Sequence, residues 1–134
     1  MKIDGGCHCG AITYEADIDP EAVGICHCKD CQTLSGTAFR VVVFAPADKF
    51  RLTRGEPKIY VKVAESGNRR AQAFCAECGS PIYATSADEK PAAYGIRLGT
   101  ARQRDQLPPK RQIWHASALA WLPEMEGLVT KEKG

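Results

Sequence analysis

The sequence predicts a mainly β domain built from short antiparallel strands. Apolar and polar side chains alternate with period two in short segments. Glycines and prolines, 12 and 8 of them, cut the chain at close intervals. No long stretch has a helical period.

The strands follow from that alternation. Ile12, Tyr14 and Ala16 face one way, with Thr13, Glu15 and Asp17 facing the other. Phe50 and Leu52 alternate with Lys49, Arg51 and Thr53, and Ile59, Val61 and Val63 alternate with Lys58, Tyr60 and Lys62. Residues 39–44, 70–74, 81–84, 92–98 and 112–116 complete the strand candidates. A helical turn is expected through Lys29, Asp30, Cys31 and Gln32, and residues 116–122 read as either a helix or an irregular edge.

At 134 residues the chain suits one domain with a real core and is short for two, so residues 1–134 are read as a single domain. A content of 44% hydrophobic and 25% charged residues excludes a disordered chain. No apolar run approaches the roughly 20 residues that span a bilayer. Met1-Lys2-Ile3-Asp4 begins no apolar leader, so a cytoplasmic protein without membrane attachment is expected. The net charge of +2, with no basic stripe interleaved with aromatics, argues against a nucleic-acid partner.

The seven cysteines are Cys7, Cys9, Cys26, Cys28, Cys31, Cys75 and Cys78. An odd number in CxC, CxCxxC and CxxC spacing is a poor disulfide framework and a good set of metal ligands. On a strand, residues i and i+2 share a face, so Cys7 and Cys9 can present both sulfurs to one ion, as can Cys26 and Cys28. The same geometry turns His8 and His27 away, and each is expected to be half-buried or exposed.

A closed structural zinc site takes four protein ligands, whereas a catalytic one takes three and keeps a position open. Gly10 follows Cys9 and Gly79 follows Cys78, where a glycine lets the backbone turn tightly around a ligand; Gln32 follows Cys31. This favours Cys7, Cys9, Cys75 and Cys78 as the closed site and Cys26, Cys28 and Cys31 as the open one. A competing partition joins Cys28 and Cys31 to Cys75 and Cys78, and leaves Cys7, Cys9 and Cys26 without a task. Seven thiolates and two zinc ions bring the formal +2 to −1. The basic side chains Arg40, Arg51, Arg54, Arg69, Arg70, Arg97, Arg102, Arg104, Lys110 and Arg111 are mostly expected in solvent. A subset can hold an anionic substrate, and Arg40 stands closest in sequence to the open site.

Three motifs occur in order: Gly5-Gly6-Cys7-His8-Cys9-Gly10, then Cys26-His27-Cys28-Lys29-Asp30-Cys31-Gln32 with Ser35-Gly36 behind it, then Phe74-Cys75-Ala76-Glu77-Cys78-Gly79-Ser80. They resemble the glutathione-dependent formaldehyde-activating enzyme family, also called the GFA or centromere protein V domain. Arg97-Leu98-Gly99-Thr100, Leu107-Pro108-Pro109, Ile113-Trp114 and Trp121 resemble its C-terminal segment. The resemblance runs from about Gly5 to Trp121. It implies a β-tent of antiparallel sheets, a structural zinc on Cys7, Cys9, Cys75 and Cys78, and a catalytic zinc on Cys26, Cys28 and Cys31. The activity it implies is that of a carbon–sulfur lyase, joining glutathione and formaldehyde into S-hydroxymethylglutathione or cleaving a related adduct. After Gly99-Thr100 this chain reads Ala-Arg-Gln-Arg, where relatives often carry a leucine and acidic residues.

The expected partner is accordingly a small thiol or thiol adduct, with Arg40 on its carboxylate, and a homodimer is compatible with the reading. His27, Ser35 and Thr37 are the proton-transfer candidates near the open site. A contrasting reading is a non-catalytic binding module held together by two structural zincs, which ligand exchange at one site distinguishes. A methionine sulfoxide reductase needs a redox cysteine beyond the seven assigned to metal.

Overall fold

The computed structural model describes residues 1–134. The strands are β1 (Lys2–Gly6), β2 (Thr13–Asp17), β3 (Val23–Cys26), β4 (Arg40–Pro46), β5 (Phe50–Arg54), β6 (Lys58–Val63), β7 (Arg69–Phe74), β8 (Pro81–Ser86), β9 (Ala93–Arg97) and β10 (Arg111–Ile113); one helix, α1, spans Lys29–Ser35. They form a three-stranded sheet in the order β1-β2-β5 and a seven-stranded sheet in the order β10-β3-β4-β9-β8-β7-β6. The chain is mainly β, as its alternation predicts. No helix is long and apolar enough to cross a membrane.

The two sheets share a core. Ile3, Tyr14 and Ala16 of the small sheet join Val43, Ala45, Ala73, Tyr83 and Ile96 of the large one in a single buried cluster. Phe50 stacks on Tyr94 with ring centroids 4.5 Å apart, and meets Tyr83 edge-on at 5.2 Å. The Tyr14 side chain is fully buried, and its hydroxyl lies 2.8 Å from Thr100 Oγ1. Because Thr100 Oγ1 donates to the Arg97 carbonyl, the Tyr14 hydroxyl is the donor to Thr100.

Several elements depart from the sequence reading. β10 pairs with β3 in parallel, Ile113 opposite Cys26, so one pairing is not antiparallel. Its strand ends at Ile113 because Trp114 adopts a left-handed backbone, φ 55°, and 3-10 turns follow at His115–Ser117 and Leu122–Gly127. Residues 116–122 are therefore irregular rather than α-helical. β6 alternates as expected but buries neither face: it is an edge strand, and Ile59, Tyr60, Val61 and Val63 are all exposed. Cys7 and Cys9 lie beyond the end of β1 in a turn, and Cys28 lies beyond β3 as the N-cap of α1. The sulfurs of each CxC pair thus converge through turn and cap geometry, not through strand pleating.

Candidate metal centres

Two loops build the first cysteine cluster. The Gly10 amide donates to the Cys7 carbonyl at 3.2 Å, and the Gly79 amide donates to the Cys75 carbonyl at 2.8 Å. Both glycines sit at positive φ, 83° and 78°, which L side chains rarely adopt. The His8 amide donates to Ser80 Oγ at 3.0 Å and ties one loop to the other. The Sγ atoms of Cys7, Cys9, Cys75 and Cys78 all lie within 4.8 Å of one another.

The donor set fits a tetrahedral thiophilic ion. Cys7 Sγ and Cys9 Sγ are 3.6 Å apart, and Cys9 Sγ and Cys75 Sγ are 3.7 Å apart. A tetrahedron with zinc–sulfur bonds of about 2.3 Å has edges of ~3.8 Å, whereas a disulfide needs ~2.0 Å. The Ile12 amide donates to Cys7 Sγ at 3.2 Å, the kind of bond that steadies a thiolate ligand. Crowding splits the proton affinities. Hydrogen bonds from Ser80 hold Cys78 down to about 5. Cys9 accepts from the Ala11 amide, yet its bonds with the Cys7, Cys78 and Cys75 thiols push it up to about 12.

The second cluster spans six residues of sequence. Cys26 ends β3, Cys28 caps α1, and Cys31 lies in the first turn of that helix; their Sγ atoms also lie within 4.8 Å of one another. The Cys31 amide donates to Cys28 Sγ at 3.3 Å. Hydrogen bonding with Cys31 lowers the Cys26 thiol, and the same interaction raises Cys31. All three are half-buried, and no fourth His, Cys, Asp or Glu donor completes the group. Gln32 fixes the segment: its Nε2 donates to the His27 carbonyl at 2.8 Å and to the Ser117 carbonyl at 3.0 Å. The α1 C-terminus closes on Gly36, φ 69°, whose amide donates to the Gln32 and Thr33 carbonyls.

The histidines separate. His8 is exposed, whereas His27 is fully buried rather than half-buried or exposed as the sequence suggests. Its ring packs against Phe39 and His115, and its Nε2 lies 2.7 Å from Gln112 Oε1. Ser35 Oγ donates to the Gln32 carbonyl at 3.4 Å, and Thr37 is exposed.

Arg40 stands opposite Cys26 in the β3–β4 register and is only 5% exposed. Its Nη1 donates to Gln72 Oε1 at 3.5 Å, and Arg97 Nη2 donates to the same oxygen at 2.6 Å. Burial pulls the Arg97 guanidinium down to about 9, with Arg40 adding repulsion. Sequence reasoning placed Arg97 among basic residues mostly expected in solvent, with an unnamed subset on a substrate, and did not single out Gln72. Both arginines and Gln72 line a cavity of about 370 Å³, together with Leu34, Tyr60 and Phe74. A larger groove of about 770 Å³ crosses β1, β2 and β5, but it holds no cysteine and its charges pair locally, as Arg51 does with Glu15.

A mainly β protein with one four-thiol and one three-thiol cluster is the class that this fold and site define. The sequence pattern of the glutathione-dependent formaldehyde-activating enzyme family matches residues 2–117. The chain belongs to that family. The match stops short of Trp121, where the resemblance read from the sequence ended. A Rhodobacter sphaeroides protein of known crystal structure is similar in fold: the TM-score is 0.61 at 20% identity, over 81% of this chain and 98% of that one.

Proposed function

We propose that this chain is a zinc-dependent carbon–sulfur lyase that forms or cleaves a thiol–aldehyde adduct, in the manner of S-hydroxymethylglutathione synthesis. Cys7, Cys9, Cys75 and Cys78 would hold a structural zinc, and Cys26, Cys28 and Cys31 a catalytic one. The observation that carries the reading is the unequal donor count: one thiol cluster is closed by four sulfurs, while the other stops at three. Membership of a glutathione-dependent formaldehyde-activating family supports a thiol and a small aldehyde as reactants.

When bound by three thiolates, zinc is a soft acceptor that favours the thiolate form of a further sulfur ligand. The chain's own groups do the rest. Gln32 locks the Cys26–Cys31 segment in place, so the three sulfurs are preorganised. Arg40, directly across the ladder from Cys26, puts a positive charge beside the thiolates. In the synthetic direction the substrate sulfur forms a bond to the aldehyde carbon, and the sulfhydryl proton ends on the aldehyde oxygen. In the reverse direction the C–S bond breaks and the sulfur regains the proton. The buried His27, with Nε2 engaged by Gln112, positions the loop rather than meeting substrate.

The test is exchange NMR on zinc-loaded protein with formaldehyde and a panel of small thiols. Accelerated interconversion of free thiol and S-hydroxymethyl adduct, absent in Cys28→Ser, is the expected result. If no thiol is accelerated with formaldehyde or another small aldehyde, the lyase reading fails and the zinc-stabilised binding module replaces it.

A further inference from the structure

Arg40, Val42 and Arg97 share one face of the large sheet. Arg40 and Val42 are two residues apart on β4, and Arg97 is the cross-strand partner of Val42. The same face continues through Gly95, Ala84 and Gln72, successive partners across β9, β8 and β7. From β7, Gln72 reaches both guanidiniums with its Oε1.

The hydrogen-bond inventory of this trio is incomplete. Gln72 Oε1 is the acceptor for both guanidiniums, and it is neutral. Arg40 Nε and Nη2 and Arg97 Nε are buried with no partner. Nε and Nη2 are one edge of a guanidinium, the fork that grips both oxygens of a carboxylate. Leaving charged donors buried and unpaired is costly. Three thiolates on a divalent ion carry one net negative charge, which a single guanidinium offsets, and the second is left over. The register of Arg40 against Cys26 puts these donors next to the three-thiol cluster, so an acid group held by them lies close to a sulfur placed at that cluster.

We infer that Arg40 and Arg97, bridged by Gln72, are a carboxylate seat, and that the thiol handled by this chain is a small mercaptocarboxylate. The assignment of the thiol rests on the lyase reading above; the seat itself does not. The apolar remainder of the cavity, Leu34, Tyr60 and Phe74, takes the carbon chain.

The experiment titrates cobalt-loaded protein with 3-mercaptopropionate and with 3-mercaptopropan-1-ol, which share a spacer and differ in the acid. The visible cobalt bands report sulfur binding. The acid thiol is expected to bind at least tenfold more tightly than the alcohol in the wild type. In Arg97→Gln the preference should shrink to about twofold, and in Arg40→Lys, which keeps the charge but not the fork, it should be intermediate. Equal binding of the two thiols by the wild type would overturn the assignment. Gln72→Leu, which keeps both arginines, should also lower the preference and covers the case in which the arginine variants do not fold. If neither thiol perturbs cobalt, the lyase reading is what fails. The seat is then read by saturation-transfer NMR of propionate against propionamide on zinc-loaded protein: saturable binding of propionate alone, lost in Arg97→Gln or Gln72→Leu, sustains it, and no preference for propionate overturns it.

Discussion

Replacing Gly5 by alanine should destabilise this protein far more than replacing Gly10, although both glycines flank the same cysteine pair. A β-carbon on Gly5 would stand 2.0 Å from the Thr100 carbonyl oxygen, 2.9 Å from its carbon and 2.7 Å from the Tyr14 hydroxyl. The first two are backbone atoms, so relief requires the 98–102 segment to part from β1, where Gly5 bridges Ala101. Overpacking of this kind costs about 1–3 kcal/mol. Loss of the Tyr14–Thr100 hydrogen bond adds about 1 kcal/mol. The expected total is about 2–4 kcal/mol, a fall of about 1–2 M in the urea midpoint at slopes usual for small domains. A β-carbon on Gly10 meets nothing within 4 Å, so its cost is the strain of an L residue at φ 83°, about 1–2 kcal/mol. Urea unfolding of the zinc-loaded proteins, followed by circular dichroism, measures both. Equal midpoints for the two variants, with unchanged slopes, would refute the reasoning.

Cys75→Ser and Cys28→Ser should behave differently. Cys75 is buried and its cluster joins the loop after β1 to the loop between β7 and β8, so its loss should leave the chain unfolded or aggregated. Zinc coupled to folding contributes on the order of 10 kcal/mol in small zinc peptides. Cys28→Ser opens a cluster drawn from one short segment and should leave a folded, inactive protein; equal loss of folded signal in the two variants would contradict this. Alkaline pH supplies another check. Burial governs Tyr14 and outweighs the opposing hydrogen bond with Thr100, so that its ionisation is pushed up to about 12. A raised folded-state value contributes stability that is intact below the unfolded value of about 10 and is lost as pH rises toward about 12, in all about 2–3 kcal/mol. Tyr14→Phe should therefore cost about 1 kcal/mol at pH 8, with the deficit against wild type vanishing or reversing by about pH 11.5 in parallel urea titrations. A deficit that stays constant with pH would contradict it.

Much of the fold was legible because half-buried strands impose a period of two, and Tyr14, Ala16, Phe50 and Leu52 carry it plainly. The grouping of the sulfurs was legible in Gly10 and Gly79, since a glycine directly after a cysteine on both halves of one cluster marks a tight turn, and both adopt positive φ. Long-range register was not. Nothing near Arg97 in sequence says that β9 lies beside β4, yet that pairing buries its guanidinium next to Arg40. The parallel docking of β10 on β3 was hidden for the same reason: three exposed residues, Arg111, Gln112 and Ile113, carry no alternation to read. His27 looked peripheral because its neighbours Cys26 and Cys28 were placed on a strand. With Cys28 capping α1 instead, the ring turns inward onto Phe39 and His115.

The most direct test of the account is the zinc content of purified, reduced protein during mild chelation. Two zinc ions per chain should be found, leaving in two phases, with Cys28→Ser retaining one ion and showing only the slow phase. A single zinc per chain in the fully loaded wild type would contradict the division into a closed four-cysteine site and an open three-cysteine site.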